Sequence, residues 1–132
     1  MKMRIFKQNK LWRDKAIELL EQMGSKIHWT RLDDAQYDAQ LRLKMLEESQ
    51  EVCDAKSRDE LVGELADVLE VMQSLCKVNN ISWYDVIDAQ DKKRLSRGGF
   101  DERMFVTNAE HPEGSFGEKY CLKSPEKYPE VL

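Results

Sequence analysis

Two pairs of acidic residues, each spaced three apart, are the strongest sign of chemistry in this sequence. They are Glu48 with Glu51 and Glu64 with Asp67. On an α-helix, residues at i and i+3 share one face, so each pair would present two carboxylates side by side. Four carboxylates brought together repel one another and are pushed toward protonation unless a cation neutralises them. The sequence therefore predicts a metal site wherever the two pairs meet.

The segment between the pairs indicates how they meet. Ser57 and Glu60 have the spacing of a capping box, which predicts a new helix from Arg58. If the flanking helices fold back antiparallel about this turn, position 48 faces 67 and position 51 faces 64. At about 1.5 Å of rise per residue, the carboxylates then lie at one level, roughly 10 to 15 Å from the turn. We expect an antiparallel helical hairpin with an acidic cage between its helices.

Glu48 occupies a position where packing alone would favour an apolar residue. At about 100° per residue it falls in one stripe of its helix, among residues that should be buried. That stripe consists of Tyr37, Leu41, Met45, Glu48 and Val52. On the following helix the predicted buried stripe is Leu61, Leu65, Val68, Met72 and Leu75, with Glu64 and Asp67 beside it.

The ligand type predicts the metal. A site made only of oxygen ligands suits hard cations, Mg²⁺ first and Mn²⁺ as an alternative. A di-iron bundle would instead need Glu-x-x-His, and the two histidines, His28 and His111, have no such spacing. The alternative interpretation is a solvated helix face, since acids three apart are common there. Hairpin register and the apolar stripe around Glu48 favour the metal site.

Length and composition limit the class of protein. With 132 residues, 41% apolar and 35% charged, the chain is expected to be one soluble domain in the cytoplasm. It has no apolar run that could span a membrane, and Met1 to Lys10 lacks the apolar stretch of a signal peptide. Three cysteines without Cys-x-x-Cys suggest neither disulfides nor zinc. A net charge of -4 argues against binding to nucleic-acid polymers.

The remaining apolar pattern predicts an all-α fold, a four-helix bundle built on the hairpin. A first helix runs from Lys10 to a C-cap at Gly24, and a fourth runs from a cap at Ser82 to Gly98. Surplus apolar surface on the third helix predicts a homodimer. Minor short strands are expected at Met3–Phe6, Lys26–Leu32 and Met104–Val106.

The composition changes toward the C-terminus. All three prolines of the chain, Pro112, Pro125 and Pro129, follow Asn108, and no periodic pattern continues there. We therefore expect a helical domain over residues 1–107 and an irregular tail over residues 108–132.

Beyond spacing, the motifs resemble a known group of enzymes. Glu47-Glu48-Ser49-Gln50-Glu51 and Glu64-Leu65-Ala66-Asp67 resemble the Glu-Glu-x-x-Glu and Glu-x-x-Asp motifs of MazG-like all-α nucleoside triphosphate pyrophosphohydrolases. Leu11-Trp12-Arg13-Asp14-Lys15 and the segment from Lys93-Arg94 through Arg97-Gly98-Gly99-Phe100 resemble signatures of the short, single-domain house-cleaning branch. The likeness covers roughly Lys10 to Phe105. That branch usually has a proline soon after its Arg-Asp-Lys and ends soon after its Gly-Gly-Phe, so the tail lies outside the resemblance.

The resemblance implies hydrolysis of a noncanonical nucleoside triphosphate to the monophosphate and pyrophosphate with Mg²⁺. Glu48, Glu51, Glu64 and Asp67 would hold one or two ions that bridge phosphate oxygens, with Glu47 orienting or deprotonating the attacking water. The candidates for holding phosphate are Arg13, Lys15, Lys44, Lys93, Arg94 and Arg97. The candidates for stacking on the base are Trp29 first, then Trp12, Tyr37 and Trp83.

Two other functions stay open at this point. Phosphoribosyl-ATP pyrophosphohydrolase of histidine synthesis belongs to the same helical superfamily and breaks an equivalent bond. A non-catalytic helical dimer that binds a nucleotide or a protein would keep the cage only as structure. The cations near Arg94 also have a structural explanation, since basic residues complement the dipole at the end of a helix.

Overall fold

A computed structural model describes residues 2–132 of the chain. Five α-helices follow one another: Asp14–Gln22 (α1), Asp34–Asp54 (α2), Arg58–Val78 (α3), Trp83–Arg97 (α4) and Phe116–Leu122 (α5). The chain divides into two compact units, the first ending at Leu95 and the second covering Ser96–Leu132. The all-α class is confirmed. None of the helices in the described residues is long and apolar enough to cross a membrane.

The predicted short strands are wrong. Residues 2–132 contain no strand, and all three segments are irregular. Ile5 is 94% exposed and Phe105 is 90% exposed, so neither side chain packs on a partner. An apolar run forms a strand only where another strand pairs with its backbone, and this all-α fold provides none.

Local capping fixes where α2 begins. The Asp33 carboxylate accepts a hydrogen bond from the Gln36 amide at 2.8 Å, and the Gln36 side chain accepts one from the Asp33 amide at 3.2 Å. This reciprocal pair is a capping box, which satisfies backbone donors that the first turn of a helix leaves free. Asp33 is therefore the N-cap of α2.

The turn between α2 and α3 is short and is closed by a second cap. The Ser57 hydroxyl accepts a hydrogen bond from the Glu60 amide at 3.1 Å, as the sequence predicts. The Glu60 carboxylate, however, accepts from the amide of Lys56 at 2.9 Å rather than from that of Ser57. Both bonds stabilise the start of α3 one turn away from the end of α2. These hydrogen bonds therefore fix the conformation of the turn that joins the two antiparallel helices.

The packing of α2 on α3 forms the core of the first unit. Leu41 and Glu48 on α2 are buried, and Tyr37, Met45 and Val52 are half-buried, which confirms the predicted stripe of α2. On α3 the predicted stripe is partly wrong, because Leu61 is 39% exposed and Leu65 is 50% exposed. The face turned to α2 instead carries Glu64, Asp67 and the buried Val71. Val68, Met72 and Leu75 of the predicted stripe are half-buried, whereas Glu64 and Asp67 take the place expected for Leu61 and Leu65.

Of the four-helix bundle predicted from the sequence, the described residues contain the packed hairpin of α2 and α3. Among the described residues up to Leu95, α2 and α3 are the one pair of helices in extensive contact. The face of α3 turned away from α2 carries four large apolar side chains at least 39% exposed: Leu61, Val62, Leu65 and Leu69. We call these four residues the α3 apolar face.

The predicted irregular tail is wrong over one segment, because α5 forms within it. Ser115 caps this helix, its hydroxyl accepting from the Glu118 amide at 3.4 Å while the Glu118 carboxylate accepts from the Gly114 amide at 2.9 Å. The Tyr120 ring lies 6.0 Å from that of Phe116 and 5.7 Å from that of Tyr128. Capping and aromatic contacts together stabilise a short helix despite the prolines around it.

Candidate metal centre

The two acidic pairs meet between α2 and α3, as the hairpin register predicts. Glu48 and Glu51 come from α2, and Glu64 and Asp67 come from α3. One carboxylate oxygen from each residue lies within 4.8 Å of the others. Opposite ligands of one hard cation are separated by roughly 4 to 5 Å, twice the usual metal–oxygen distance. The four oxygens thus have the spacing of a metal site, and we call them the acidic cluster.

Unpaired buried oxygens test whether a cation fits this cluster. Oε2 of Glu48 and Oε2 of Glu64 are both buried and have no hydrogen-bond partner. A carboxylate oxygen removed from water costs free energy unless a donor or a cation compensates it. Only oxygen atoms converge here, which is the ligand set that hard divalent cations prefer. The cluster could therefore hold a metal ion.

The pKa values of two cluster members reflect this crowding. Burial raises the pKa of Glu48 above its ordinary value, and the hydrogen-bonding contact with the Glu51 carboxyl raises it further. Contact with Glu64 likewise raises the pKa of Glu51, against an opposing effect from Glu48. A cation among the four groups would reverse these shifts, because opposite charge favours the ionised form. Carboxylates this close repel one another unless a cation lies among them.

Glu47 lies beside the cluster but belongs to a separate chain of ion pairs. Its Oε1 accepts from the Lys10 ammonium at 3.1 Å and from the Lys44 ammonium at 3.4 Å. Lys44 also lies 3.5 Å from Oε1 of Glu48. Burial would raise the pKa of Glu47, but the hydrogen bond from Lys10 and the charge of Lys44 hold it below its ordinary value. Glu47 is therefore kept as a carboxylate next to the acidic cluster.

A cavity of about 460 Å³ opens beside the acidic cluster, and Glu48 and Asp67 form part of its wall. This size lies within the range of small-molecule sites in proteins. Its other walls mix cations with aromatic and aliphatic side chains. The cavity is lined by Leu11, Trp12, Arg13, Asp14, Lys15, Tyr37, Leu41, Lys44, Glu48, Asp67, Glu70, Val71 and Ser74.

Five of the residues predicted to contact phosphate or base come together in this cavity. Arg13, Lys15 and Lys44 supply positive charge, and Trp12 and Tyr37 supply aromatic surface, both half-buried. Arg13 also donates to Oδ1 of Asp67 at 2.6 Å, and this hydrogen bond raises the pKa of the guanidinium. An anionic group with a planar ring would meet complementary surfaces here.

Five of the predicted phosphate and base contacts do not line the cavity, and Trp83, the first residue of α4, is one of them. Trp29, the leading prediction for stacking on the base, is 55% exposed, and the Arg31 guanidinium lies over its ring at 5.3 Å. Trp29 lies in the irregular connection before α2, whose path no sequence pattern fixes. Lys93 and Arg94 on α4 are not part of the cavity wall, and Arg97 belongs to the second unit.

Sequence reasoning did not single out Lys10, whose ammonium reaches Glu47 on α2. The two residues are far apart in sequence, and only the folded path of the N-terminal segment brings them together. Glu70 was also missed, although it stands three residues after Asp67 and thus on the same helix face. That spacing was the signal that could have found it.

The helical hairpin gives two carboxylates from each helix to one cluster, and a cationic and aromatic cavity lies beside it. Such a site could hold a hard cation and an anionic ligand. Comparison of the chain with known families agrees, since residues 17–94 match phosphoribosyl-ATP pyrophosphohydrolase (PRA-PH). The match spans more than half of the chain and contains the whole acidic cluster, so the chain belongs to the PRA-PH family. No curated protein and no solved structure matches the chain. Family membership implies a pyrophosphohydrolase acting on a nucleotide.

Proposed function

We propose that this protein hydrolyses a nucleoside triphosphate, of a noncanonical kind, between its α and β phosphates in the presence of Mg²⁺. Water adds across the anhydride bond, and the products are the nucleoside monophosphate and pyrophosphate. On this proposal the chain would belong to the MazG-like house-cleaning branch of its superfamily, whose motifs its sequence resembles. The observation that carries the proposal is the acidic cluster, with two buried carboxylate oxygens that lack any partner.

The acidic cluster is the proposed metal site, with Mg²⁺ as the natural ion and Mn²⁺ as a substitute. The ion supplies positive charge that neutralises phosphate oxygens and makes water a better nucleophile. Glu48, Glu51, Glu64 and Asp67 hold the ion. Glu47 is proposed to orient the attacking water and to accept its proton, since Lys10 and Lys44 keep its carboxylate ionised.

The cavity is the proposed nucleotide site. Arg13, Lys15 and Lys44 hold phosphate oxygens, and Trp12 and Tyr37 pack against the base. All five line a cavity whose wall includes two members of the acidic cluster. Lys93, Arg94 and Arg97 stay predicted phosphate ligands, and Trp29 a predicted base contact, that no contact with this cavity supports.

A homodimer is part of the proposal. Leu61, Leu65 and Leu69 of the α3 apolar face are exposed in the single chain, although their spacing places them on one side of the helix. Two hairpins that pack through these faces would bury them and would form a bundle of four long helices. The predicted four-helix bundle is then a property of the dimer.

Phosphoribosyl-ATP is the second candidate substrate, and the family match favours it. It carries the same triphosphate, so the roles proposed for the acidic cluster and the cations are unchanged. The additional phosphoribosyl group would need room beyond the base. A single assay with both kinds of substrate separates the two candidates.

The test is a screen for release of pyrophosphate. Standard, deoxy and chemically damaged nucleoside triphosphates and phosphoribosyl-ATP are each incubated with the protein, with Mg²⁺ or with a chelator. We expect pyrophosphate from at least one triphosphate, only with Mg²⁺, and its loss by a factor of about 100 or more in Glu48→Gln and Asp67→Asn, the scale on which lost charge stabilisation acts. The matched control is Glu18→Gln on α1, an exposed acid outside the cluster.

Each other outcome has a definite meaning. Activity restricted to phosphoribosyl-ATP would select the second candidate. Orthophosphate as the product would mean cleavage at the terminal phosphate and would contradict the proposal. Absence of turnover, with nucleotide binding unchanged in Glu48→Gln, would support a non-catalytic helical dimer.

A further inference from the structure

Two ion pairs attach the segment that precedes α1 to the hairpin. The Lys10 ammonium lies 3.1 Å from Glu47 on α2, and the Arg13 guanidinium lies 2.6 Å from Asp67 on α3. Between them, Leu11 and Trp12 form part of the cavity wall. We call residues 10–13 the anchoring segment. Of the two carboxylates that this segment contacts, Asp67 belongs to the acidic cluster and Glu47 does not.

The contact of Arg13 with Asp67 neutralises one carboxylate of the cluster from within the chain. Its oxygen Oδ1 accepts from Arg13, while Oε2 of Glu48 and Oε2 of Glu64 have no partner. A guanidinium does not lose its proton at any pH that the protein experiences. Arg13 therefore stays cationic and repels any metal ion that binds the same carboxylate. A metal ion can therefore replace Arg13 at Asp67 only if the Arg13 side chain moves.

The geometry makes such a movement easy. The Arg13 side chain is 60% exposed and that of Asp67 is 36% exposed, so water replaces the contact at little cost. An ion pair at this exposure changes an equilibrium constant by about fivefold at most. Lys10 remains bound to Glu47, which lies outside the acidic cluster, so the backbone of the anchoring segment stays in place. Only the Arg13 side chain has to move.

We propose that Arg13 acts as a substitute cation at Asp67, and that a divalent metal ion displaces it toward the phosphates of the nucleotide. This inference rests on the metal site and the nucleotide site proposed above. Arg13 already lines the cavity, beside Lys15. Its planar guanidinium matches phosphate oxygens as well as it matches a carboxylate.

Coupling between the two ligands follows from this exchange. Metal binding frees Arg13 for phosphate, and phosphate draws Arg13 away from Asp67 and so eases metal binding. By linkage each ligand must tighten the binding of the other by the same factor. Lys15, which lines the same cavity without pairing with a cluster member, attracts phosphate but gives no such exchange.

Binding measurements on two variants test this inference without any measurement of turnover. Arg13→Gln removes the substitute cation, and Lys15→Gln removes a cation from the same cavity wall as the matched control. Affinity for Mn²⁺ alone is measured from the electron paramagnetic resonance signal of the free ion. Affinity for pyrophosphate is measured calorimetrically at saturating Mg²⁺.

Arg13→Gln should bind Mn²⁺ about fivefold more tightly than the natural protein and pyrophosphate about tenfold more weakly, since it loses one exposed ion pair and one charge-assisted phosphate contact. Lys15→Gln should weaken pyrophosphate binding but change Mn²⁺ binding less than about twofold, because its charge is not paired with a ligand. A variant that is merely misfolded would lose both affinities. The opposite signs expected for Arg13→Gln exclude that explanation.

Unchanged or weaker Mn²⁺ binding in Arg13→Gln would overturn the inference. An equal gain in Mn²⁺ affinity in Lys15→Gln would also overturn it, because the gain would then come from the loss of any positive charge near the site. Either result leaves the proposed function standing, provided that the natural protein binds Mn²⁺ and Asp67→Asn does not. If the natural protein binds no Mn²⁺, or Asp67→Asn binds it equally well, the metal site itself is wrong and the inference falls with it.

Discussion

Replacement of Glu48 by glutamine is expected to stabilise the metal-free protein while it abolishes the response to metal. Glu48 is only 6% exposed, and its Oε2 has no hydrogen-bond partner. Relief from burying an unpaired charged oxygen is worth about 1 to 3 kcal/mol. Loss of the Lys44 contact, 3.5 Å long, costs up to about 1 kcal/mol. The net gain in the free energy of unfolding should lie between about 0 and 3 kcal/mol, with a central value of about 1.5 kcal/mol.

This gain should depend on pH in one direction. Burial first, and then the Glu51 contact, raise the pKa of Glu48 above its ordinary value of 4.5. The folded state therefore binds a proton more tightly than the unfolded state does. Compared with an unperturbed carboxyl, the tighter proton binding stabilises the folded state, and this stabilisation is fully present below pH 4.5. It is lost as the pH rises through the raised pKa of Glu48. The difference in the free energy of unfolding between Glu48→Gln and the natural protein should therefore increase over the same range of pH.

Thermal unfolding, followed by circular dichroism at a fixed protein concentration, measures both effects. In a chelator at pH 8, Glu48→Gln should raise Tm by roughly 3 to 8 °C for a domain of this size. Excess Mg²⁺ should raise Tm of the natural protein and leave that of the variant unchanged. Glu18→Gln on α1 is the control for charge removal alone. A lower Tm for Glu48→Gln in the chelator, or an equal response to Mg²⁺, would refute the reasoning.

Three further predictions concern other parts of the chain. Lys10→Met removes a hydrogen bond that lowers the pKa of Glu47, so the acidic limb of the pH profile for pyrophosphate release should move to higher pH; an unmoved limb would show that Glu47 is not the group that titrates. Leu65→Glu, at a site 50% exposed on the α3 apolar face, should convert the proposed dimer to monomers in analytical ultracentrifugation, whereas Leu19→Glu, at a site 59% exposed on α1, should not. Asp33→Ala removes the 2.8 Å cap of α2 and should lower the free energy of unfolding in urea by about 1 kcal/mol, with Asp33→Asn close to the natural protein.

The hairpin and its acidic cluster could be predicted because they depend on local sequence. Caps at Asp33 and Ser57 determine where α2 and α3 begin, and helical geometry then determines that position 48 faces 67. Two cap signals and one helical repeat are enough for this part of the fold. The same kind of signal, Ser115 followed by Glu118, stands before α5, but the prolines around it led to the prediction of an irregular tail.

The partners of the cluster could not be predicted in this way. The pairing of Arg13 with Asp67 depends on the path of an irregular segment, which follows from packing rather than from periodicity. The rotation of α3 was also mispredicted, since an apolar stripe shows that a face is buried but not what buries it. Leu61 and Leu65 are the residues affected, and a second copy of the chain is the proposed cover.

All four cluster carboxylates come from one short stretch of chain, between Glu48 and Asp67, closed by a single tight turn. Contacts between residues so near in sequence form early and quickly during folding. The ligands can therefore assemble before the rest of the polypeptide has found its place. An ion bound at the proposed site at that stage would act as a template for folding, and the supply of divalent cation would then affect the yield of the native protein.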